Sequence, residues 1–154
     1  MNADQRNEKT DDVISPEFAQ PFVWPVRVYW EDTDAGGVVY YANYLRFLER
    51  ARTEWLRALG IEQMPLKEQY GVLLVVSRVE ADYRRPARYG DALQVQCKLV
   101  ELRKASMTFE QSIWRDHVDG ELLMSAKVRG ACIDATTFRP TAMPNLLVRS
   151  LKIQ

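Results

Sequence analysis

Residue types that usually carry metal or nucleophilic chemistry are scarce in this chain of 154 residues. It has one histidine, His117, and two cysteines, Cys97 and Cys132, each in a strand-like segment. These three residues do not form a zinc-binding set, and a Ser-His-Asp or Cys-His arrangement would depend on His117, which follows a strand and precedes a turn. We therefore expect no metal and no other cofactor, a surface position for the histidine, and a reduced, buried pair of cysteines.

Long hydrophobic runs, charge excess and glycine-rich phosphate motifs are also absent. No apolar stretch approaches the roughly 20 residues of a membrane helix, and the polar residues 1–10 lack the apolar segment of a signal peptide. The sequence thus predicts no membrane span and a cytoplasmic location. The 21 basic and 21 acidic residues balance, which gives no reason to expect a nucleic-acid partner. Neither common nucleotide-binding pattern, GxGxxG or GxxxxGK[ST], occurs.

The length and the 47% apolar content fit one domain with a filled core. Residues 1–20 are charged and polar, and we interpret them as a flexible N-terminal extension to a single domain over residues 21–154. The alternation of residues 22–30 predicts a strand. Residues 42–59 carry a broad apolar stripe at helical spacing and end before Gly60, so they predict a long helix that is buried over much of its circumference.

The rest of the chain predicts a short helix followed by four strands. The expected ranges are a helix over 65–70 and strands over 72–83, 92–102, 106–117 and 121–134, with a hairpin turn at Asp119-Gly120. This order indicates an α+β fold in which a curved antiparallel sheet packs on one central helix. Because a single sheet leaves free edges, a homodimer joined edge to edge is expected.

The segment Asp32 to Gly37 lies between the end of the first strand and the start of the long helix. The first turn of a helix presents unpaired N–H groups with partial positive charge, which stabilise a carbonyl oxygen as it becomes an oxyanion. A carboxylate such as that of Asp34 could stand beside the same carbonyl carbon, and glycines such as Gly37 let the backbone approach closely. These features suit acyl transfer, although an Asp-Gly turn and helix cap has the same composition.

A thioester is a suitable substrate for a site that has a carboxylate and main-chain N–H donors but no general acid. Its leaving thiol has an ordinary pKa of about 8.5, so it departs as a thiolate without a strong general acid. Asp34 could attack the carbonyl to form a mixed anhydride or could activate a water molecule, and the sequence does not distinguish the two routes.

The longer segment VYWEDTDAGGVVYYANY, residues 28–44, resembles the signature of the 4-hydroxybenzoyl-CoA thioesterase family. Three further segments, FLERARTE at 47–54, ADY at 81–83 and PAR at 86–88, are most similar to the branch associated with the bacterial Tol–Pal envelope system. The resemblance implies a hotdog fold, in which five to six antiparallel strands wrap around one long helix. It also implies an acyl-CoA substrate and a homodimer or a homotetramer built from dimers, with sites at subunit boundaries.

The resemblance assigns roles to particular residues. It makes Asp34 the catalytic carboxylate and the backbone N–H of Tyr41 the group that polarises the thioester carbonyl, in a loop that includes Gly37. The Tol–Pal branch commonly has histidine where this chain has Tyr41, so a role for that imidazole is not available here. Tyr44, one turn into the helix, could border the acyl pocket or belong to the core.

A second similar segment surrounds Arg103, Lys104 and Ser106, and the resemblance implies that it binds the phosphates of CoA. Two basic residues on a tight turn do form a small phosphate patch, although a solvated hairpin tip has the same composition. Arg84, Arg85 and Arg88 form another basic turn, which is either structural or interfacial or else faces CoA.

The sequence-based hypothesis is an acyl-CoA thioesterase that acts through an Asp carboxylate and an oxyanion site at a helix N-terminus. Two alternatives stay open: a thioesterase for acyl groups on acyl carrier protein, and a non-catalytic scaffold that binds acyl-CoA or serves an envelope complex. A hotdog hydratase is not expected because such enzymes need a histidine near the central helix.

Overall fold

A computed structural model describes residues 20–152 of the chain, so the extension predicted for residues 1–20 lies outside the described residues except for Gln20. Five strands and three α-helices follow in chain order: β1 Phe22–Arg27, α1 Asn43–Ala58, α2 Gln63–Tyr70, β2 Val72–Tyr83, β3 Ala92–Leu102, β4 Ser106–Arg115, β5 Glu121–Asp134 and α3 Asn145–Lys152.

The strands form one antiparallel sheet in the order β1-β3-β4-β5-β2, so β1 and β2 are its edges. One face packs on α1, whose inward side chains include Phe47, Leu48, Ala51 and Trp55, all buried. The residues of β3 alternate between buried and accessible. The buried side chains of the strands and of α1 therefore form one core. The predicted α+β architecture, a sheet around one long helix, is confirmed.

The structure differs from the sequence prediction at the end of the first strand. Strand β1 stops at Arg27, and residues Trp30–Asp32 form a 3-10 turn instead. The buried carboxylate of Asp32 causes this turn, because its Oδ2 accepts a hydrogen bond from the Tyr29 N–H at 2.8 Å. As a consequence the Trp30 side chain is 71% exposed rather than packed beside Val28.

Three other differences have local causes. Strand β4 ends at Arg115 instead of residue 117, because Asp116 adopts a left-handed backbone with φ +63°. Helix α1 is one residue shorter at each end than predicted, and Leu45 on its expected apolar stripe is exposed in the single chain. The sequence analysis missed α3, which buries Leu147 and Leu151.

The scarce chemical residues have ordinary positions. Cys97 and Cys132 are buried and free, and burial raises the pKa of the Cys97 thiol to about 12. His117 is exposed in the turn after β4. Between residues 20 and 152 no three His, Cys, Asp or Glu side chains come together as metal ligands. Over the same range no helix has both the length and the apolar character needed to span a membrane.

Candidate active site

Asp34 opens a tight hairpin between β1 and α1. Its main-chain N–H donates to the Val38 carbonyl at 3.0 Å, and the Gly37 N–H donates to the Asp34 carbonyl at 3.0 Å. Gly37 closes the turn with φ +75°, a conformation that glycine adopts without steric cost. A Cβ at this glycine would touch nothing within 4 Å. The predicted site residue Gly37 is therefore required by the backbone of the turn.

The neighbouring glycine is the one that touches the carboxylate. The Gly36 N–H donates to Asp34 Oδ1 at 2.8 Å, and a Cβ on Gly36 would lie 3.0 Å from that oxygen. Asp34 is exposed, and its Oδ2 accepts no hydrogen bond from any residue in 20–152. One oxygen is thus held in position while the other is free to meet a ligand or a water molecule.

The two aspartates of the segment have different environments. Asp32 is buried with its carboxylate bonded to the main chain, whereas Asp34 faces solvent. The Asp32 carbonyl accepts hydrogen bonds from the Tyr40 N–H and from Asn43 Nδ2, both at 2.9 Å. These bonds tie the base of the hairpin to the first turn of α1.

Two N–H groups at the start of α1 remain unpaired. The Tyr40 carbonyl accepts from the Asn43 N–H at 2.8 Å, and the Tyr41 carbonyl accepts from the Tyr83 hydroxyl at 2.8 Å. In a planar trans peptide the N–H points away from the carbonyl, so the N–H of Tyr41 points away from the Asn43 donor and the N–H of Ala42 points away from the Tyr83 hydroxyl. No hydrogen bond within residues 20–152 uses either N–H. They are the orphan donors expected at a helix N-terminus.

Four tyrosines surround this helix start. The ring centroids of Tyr40 and Tyr41 are 4.9 Å apart, those of Tyr41 and Tyr83 are 6.4 Å apart, and those of Tyr44 and Tyr83 are 5.3 Å apart. Tyr41 is 63% exposed. The pKa of Tyr40 is raised, mainly by the adjacent Tyr41 and to a lesser extent by the negative charge of Asp34. The Asp34 charge therefore acts on this cluster.

Tyr44 is buried and holds the turn between β2 and β3. Its hydroxyl accepts a hydrogen bond from the Ala87 N–H at 2.9 Å, and its ring meets Phe47 edge to face. Burial is the main cause that raises its pKa, which Asp34 raises further. Tyr44 thus joins Tyr41 through the ring of Tyr83, with its hydroxyl engaged by the Ala87 N–H.

Arg103, Lys104 and Ser106 lie at the opposite end of the sheet. The Asp34 hairpin contacts the start of β3, since Val38 pairs with Arg88 and the Val28 N–H donates to the Asp91 carbonyl at 3.0 Å. The β3–β4 hairpin follows the end of the same 11-residue strand, about 35 Å away at 3.3–3.4 Å per residue. Ser106 is buried there. Within one chain, these three residues do not meet Asp34.

Sequence reasoning missed three residues that shape the site: Gly36, Asn43 and Tyr83. Gly36 and Asn43 fall inside the segment already recognised, but only coordinates reveal which N–H reaches the carboxylate. Tyr83 is 42 residues from its acceptor, Tyr41. The available signals were its position at the last residue of β2, directly before a basic turn, and its place in the ADY segment that resembles the family.

The site is open in the single chain, because Asp34, Tyr40 and Tyr41 are all accessible to solvent. An exposed carboxylate beside unpaired main-chain N–H groups suits attack on a polarised carbonyl. A curved antiparallel sheet wrapped around one long helix defines the hotdog class of proteins.

The chain belongs to the thioesterase-like superfamily, whose family pattern matches residues 28–151. The acyl-CoA thioesterase YbgC of Haemophilus influenzae is 45% identical over 123 residues, which cover 80% of this chain and 88% of that protein. The acyl-CoA thioester hydrolase YbgC of Escherichia coli O157:H7 is 43% identical over 131 residues, covering 85% of this chain and 96% of the relative.

Solved structures share the fold. A probable thioesterase from Bartonella henselae has a TM-score of 0.76 at 33% identity, covering 81% of this chain and all of that one. A 1,4-dihydroxy-2-naphthoyl-CoA thioesterase from Synechocystis has a TM-score of 0.79 at 22% identity, covering 86% and 96% of the two chains. The predicted hotdog fold and the predicted class of enzyme, a thioester hydrolase, are confirmed. The 4-hydroxybenzoyl-CoA branch and the Tol–Pal association stay predictions.

Proposed function

We propose that this protein hydrolyses the thioester of acyl-CoA to a free acid and CoA, with Asp34 as the catalytic carboxylate. The observation that carries the proposal is an exposed Asp34 carboxylate whose Oδ2 accepts no hydrogen bond from residues 20–152, in the same segment between β1 and α1 as the N–H groups of Tyr41 and Ala42, which have no partner in that range. Relatives at 43–45% identity that carry the name acyl-CoA thioesterase or thioester hydrolase support the choice of substrate.

The N–H of Tyr41 donates to the thioester carbonyl oxygen, which gains negative charge as the carbonyl carbon is attacked. Asp34 Oδ2 either attacks that carbon directly, giving a mixed anhydride that water then opens, or removes a proton from an attacking water molecule. Either route breaks the carbon–sulfur bond, consumes one water and releases the thiolate. Gly36 keeps Oδ1 in place throughout, so that Oδ2 faces the carbonyl carbon.

The acyl group enters beside the tyrosines at the helix start. Tyr41 and Tyr83 offer aromatic surface there, since both are exposed. Tyr44 borders the acyl pocket from below, while its hydroxyl is held by the Ala87 N–H. Aliphatic and aryl acyl groups both find apolar contact on such a surface.

Arg103 and Lys104, with Ser106 beside them, serve the CoA phosphates only if they come from another chain, because about 35 Å separates them from Asp34 along β3. A CoA site that used these residues would therefore have to be shared between subunits of the expected homodimer or homotetramer. The exposed apolar residues Val75, Val76 and Val79 on the edge strand β2 are a suitable surface for a second copy.

We place the protein in the cytoplasm. Two alternative functions are considered. A carrier-protein thioesterase would hydrolyse acyl groups on acyl carrier protein faster than matched acyl-CoA. A scaffold of the Tol–Pal envelope system would bind acyl-CoA tightly with turnover near the background rate. We favour the acyl-CoA thioesterase because its reactive groups are accessible and unpaired.

The deciding experiment measures turnover of short, long and aryl acyl-CoA thioesters by wild type and by Asp34→Asn. We expect kcat to fall at least about 100-fold in the variant, because a positioned acid–base group supplies roughly 10²–10⁴ in rate. Asp82→Asn is the matched control, since Asp82 is an exposed aspartate near the end of β2. Undiminished turnover by a folded Asp34→Asn protein rules out this catalytic assignment.

A further inference from the structure

The basic turn between β2 and β3 lies at the same end of the sheet as Asp34. Val38, in the Asp34 hairpin, pairs with Arg88 across an isolated bridge. The Val39 N–H donates to the Ala87 carbonyl at 2.9 Å. The arginines of this turn therefore border the candidate site within one chain, whereas Arg103 and Lys104 do not.

The arginines of the two basic regions also differ in how far their charges are already neutralised. Arg103 donates from Nε and Nη2 to the same Glu101 oxygen at 2.9 and 2.7 Å, and these bonds lower the pKa of Glu101. Arg84 and Arg88 are exposed, and neither makes an ion pair with a carboxylate of residues 20–152. Two uncommitted guanidinium groups are therefore available beside the site.

The other charges around this turn are engaged or peripheral. Arg85 makes one long ion pair of 3.4 Å with Glu121. Asp91 is paired with Arg115 and also accepts from the Arg88 N–H at 2.8 Å. Glu31, next to Trp30, is an exposed acid of the neighbouring loop. Within residues 20–152, no carboxylate neutralises the positive charges of Arg84 and Arg88.

An exposed aromatic pair lies against the same turn. Trp30 stacks on Tyr89 with ring centroids 3.9 Å apart and planes 16° apart. Trp30 is 71% exposed, although large aromatic side chains are usually well buried. Its partner Tyr89 directly follows Arg88, so a flat apolar surface and a free guanidinium are neighbours. Purine rings stack on such surfaces, and guanidinium groups bind phosphates bidentately.

We propose that the turn formed by residues 84–89, together with Trp30, binds the nucleotide end of CoA in the same chain as Asp34. Arg84 and Arg88 contact the phosphates, and the adenine stacks on the Trp30–Tyr89 pair. The pantetheine arm then leads from the turn to the carbonyl at the helix start. This site rests on the proposed function, since it takes acyl-CoA as the substrate of Asp34.

The test compares an acyl-CoA with the matching acyl-pantetheine, which carries the same thioester and lacks the nucleotide. For Arg84→Gln/Arg88→Gln, we expect the ratio of the KM for acyl-CoA to the KM for acyl-pantetheine to rise about tenfold over wild type. Arg149→Gln is the matched control, because Arg149 is an exposed arginine on α3. An unchanged ratio, or a rise in both KM values together, overturns the proposal. A tenfold rise in Arg103→Gln alone assigns the phosphates to the hairpin instead.

Binding of CoA itself keeps the test independent of turnover. If wild type hydrolyses neither thioester, the proposed function fails, and calorimetric titration with CoA still decides this site. Binding about tenfold weaker in the double variant supports it, while equal binding or no binding by wild type overturns it. Trp30→Phe checks the stacking: CoA should quench the tryptophan fluorescence of wild type and not of this variant. Quenching that persists in Trp30→Phe would show that the adenine does not stack on Trp30.

Discussion

Replacing Gly36 by alanine tests whether turnover depends on the position of the Asp34 carboxylate. The new Cβ would lie 3.0 Å from Asp34 Oδ1, closer than the 3.4 Å at which ordinary contacts begin. The carboxylate must therefore move by about 0.4 Å, while the Gly36 N–H and the backbone stay acceptable because φ at this residue is not positive. A misplacement of about 1 Å costs roughly 100-fold in rate, so we expect kcat to fall roughly sixfold.

Gly37→Ala is the matched control in the same turn. A Cβ there touches nothing within 4 Å, but φ is +75°, so the substitution costs about 1–2 kcal/mol of backbone strain. For a chain of this size, that cost lowers Tm by about 2–8 °C. Gly36→Ala should reduce kcat with little change in Tm, and Gly37→Ala should reduce Tm more than kcat. Thermal melts and steady-state kinetics with one acyl-CoA measure both quantities. Wild-type kcat in Gly36→Ala would refute the idea that a held Oδ1 positions the reactive oxygen.

Two further predictions concern hydrogen bonds. Tyr83→Phe removes the 2.8 Å hydrogen bond to the Tyr41 carbonyl, so kcat should fall about three- to tenfold, as expected for one net hydrogen bond. Tyr70→Phe is the control. Equal kcat values for the two variants would contradict the reasoning. Hydrogen bonds from the N–H groups of Thr137 and then of the preceding residue lower the pKa of Asp134. A carboxyl group whose pKa is lower in the folded state stabilises the fold at pH values above its unfolded-state pKa. This stabilisation is lost as pH falls through the folded-state pKa. In denaturant titrations, the free energy of unfolding of wild type should exceed that of Asp134→Asn at neutral pH, and the difference should shrink towards zero below about pH 4. A difference that is constant with pH would contradict this prediction.

The sequence predicted most of the fold because its hydrophobic periods are long and unambiguous. Strands β2, β3 and β5 have the bounds that alternation predicts, and α1 differs by one residue at each end. The prediction was wrong where a polar side chain redirects the backbone: Asp32 bonds the Tyr29 N–H and ends β1 early. Helix α3 was missed although its two buried leucines, Leu147 and Leu151, have the i,i+4 spacing of one helix face.

The candidate site was predictable only in part. Local pattern identifies Asp34 and the helix start, since both belong to one continuous segment. Of the two partners that orient the N–H groups, Asn43 is local, whereas Tyr83 comes from a distant strand and is placed by the register of that strand. The separation of Arg103 from Asp34 likewise follows from the length and direction of β3, which place the two ends of one strand far apart.

We expect the side chain of Tyr41 to contribute less to kcat than its main-chain N–H does. The proposed donors are main-chain N–H groups, and their directions are set by the Asn43 N–H and the Tyr83 hydroxyl, neither of which makes a hydrogen bond to the Tyr41 ring. Tyr41→His, the residue common in the Tol–Pal branch, should therefore keep kcat on a short aliphatic acyl-CoA within about threefold. Its effect should appear as a changed preference between aryl and aliphatic thioesters, because the exposed ring borders the acyl entrance. A loss of about 100-fold on every thioester would mean that the phenol itself takes part in the reaction, and the oxyanion site would then have to be reassigned.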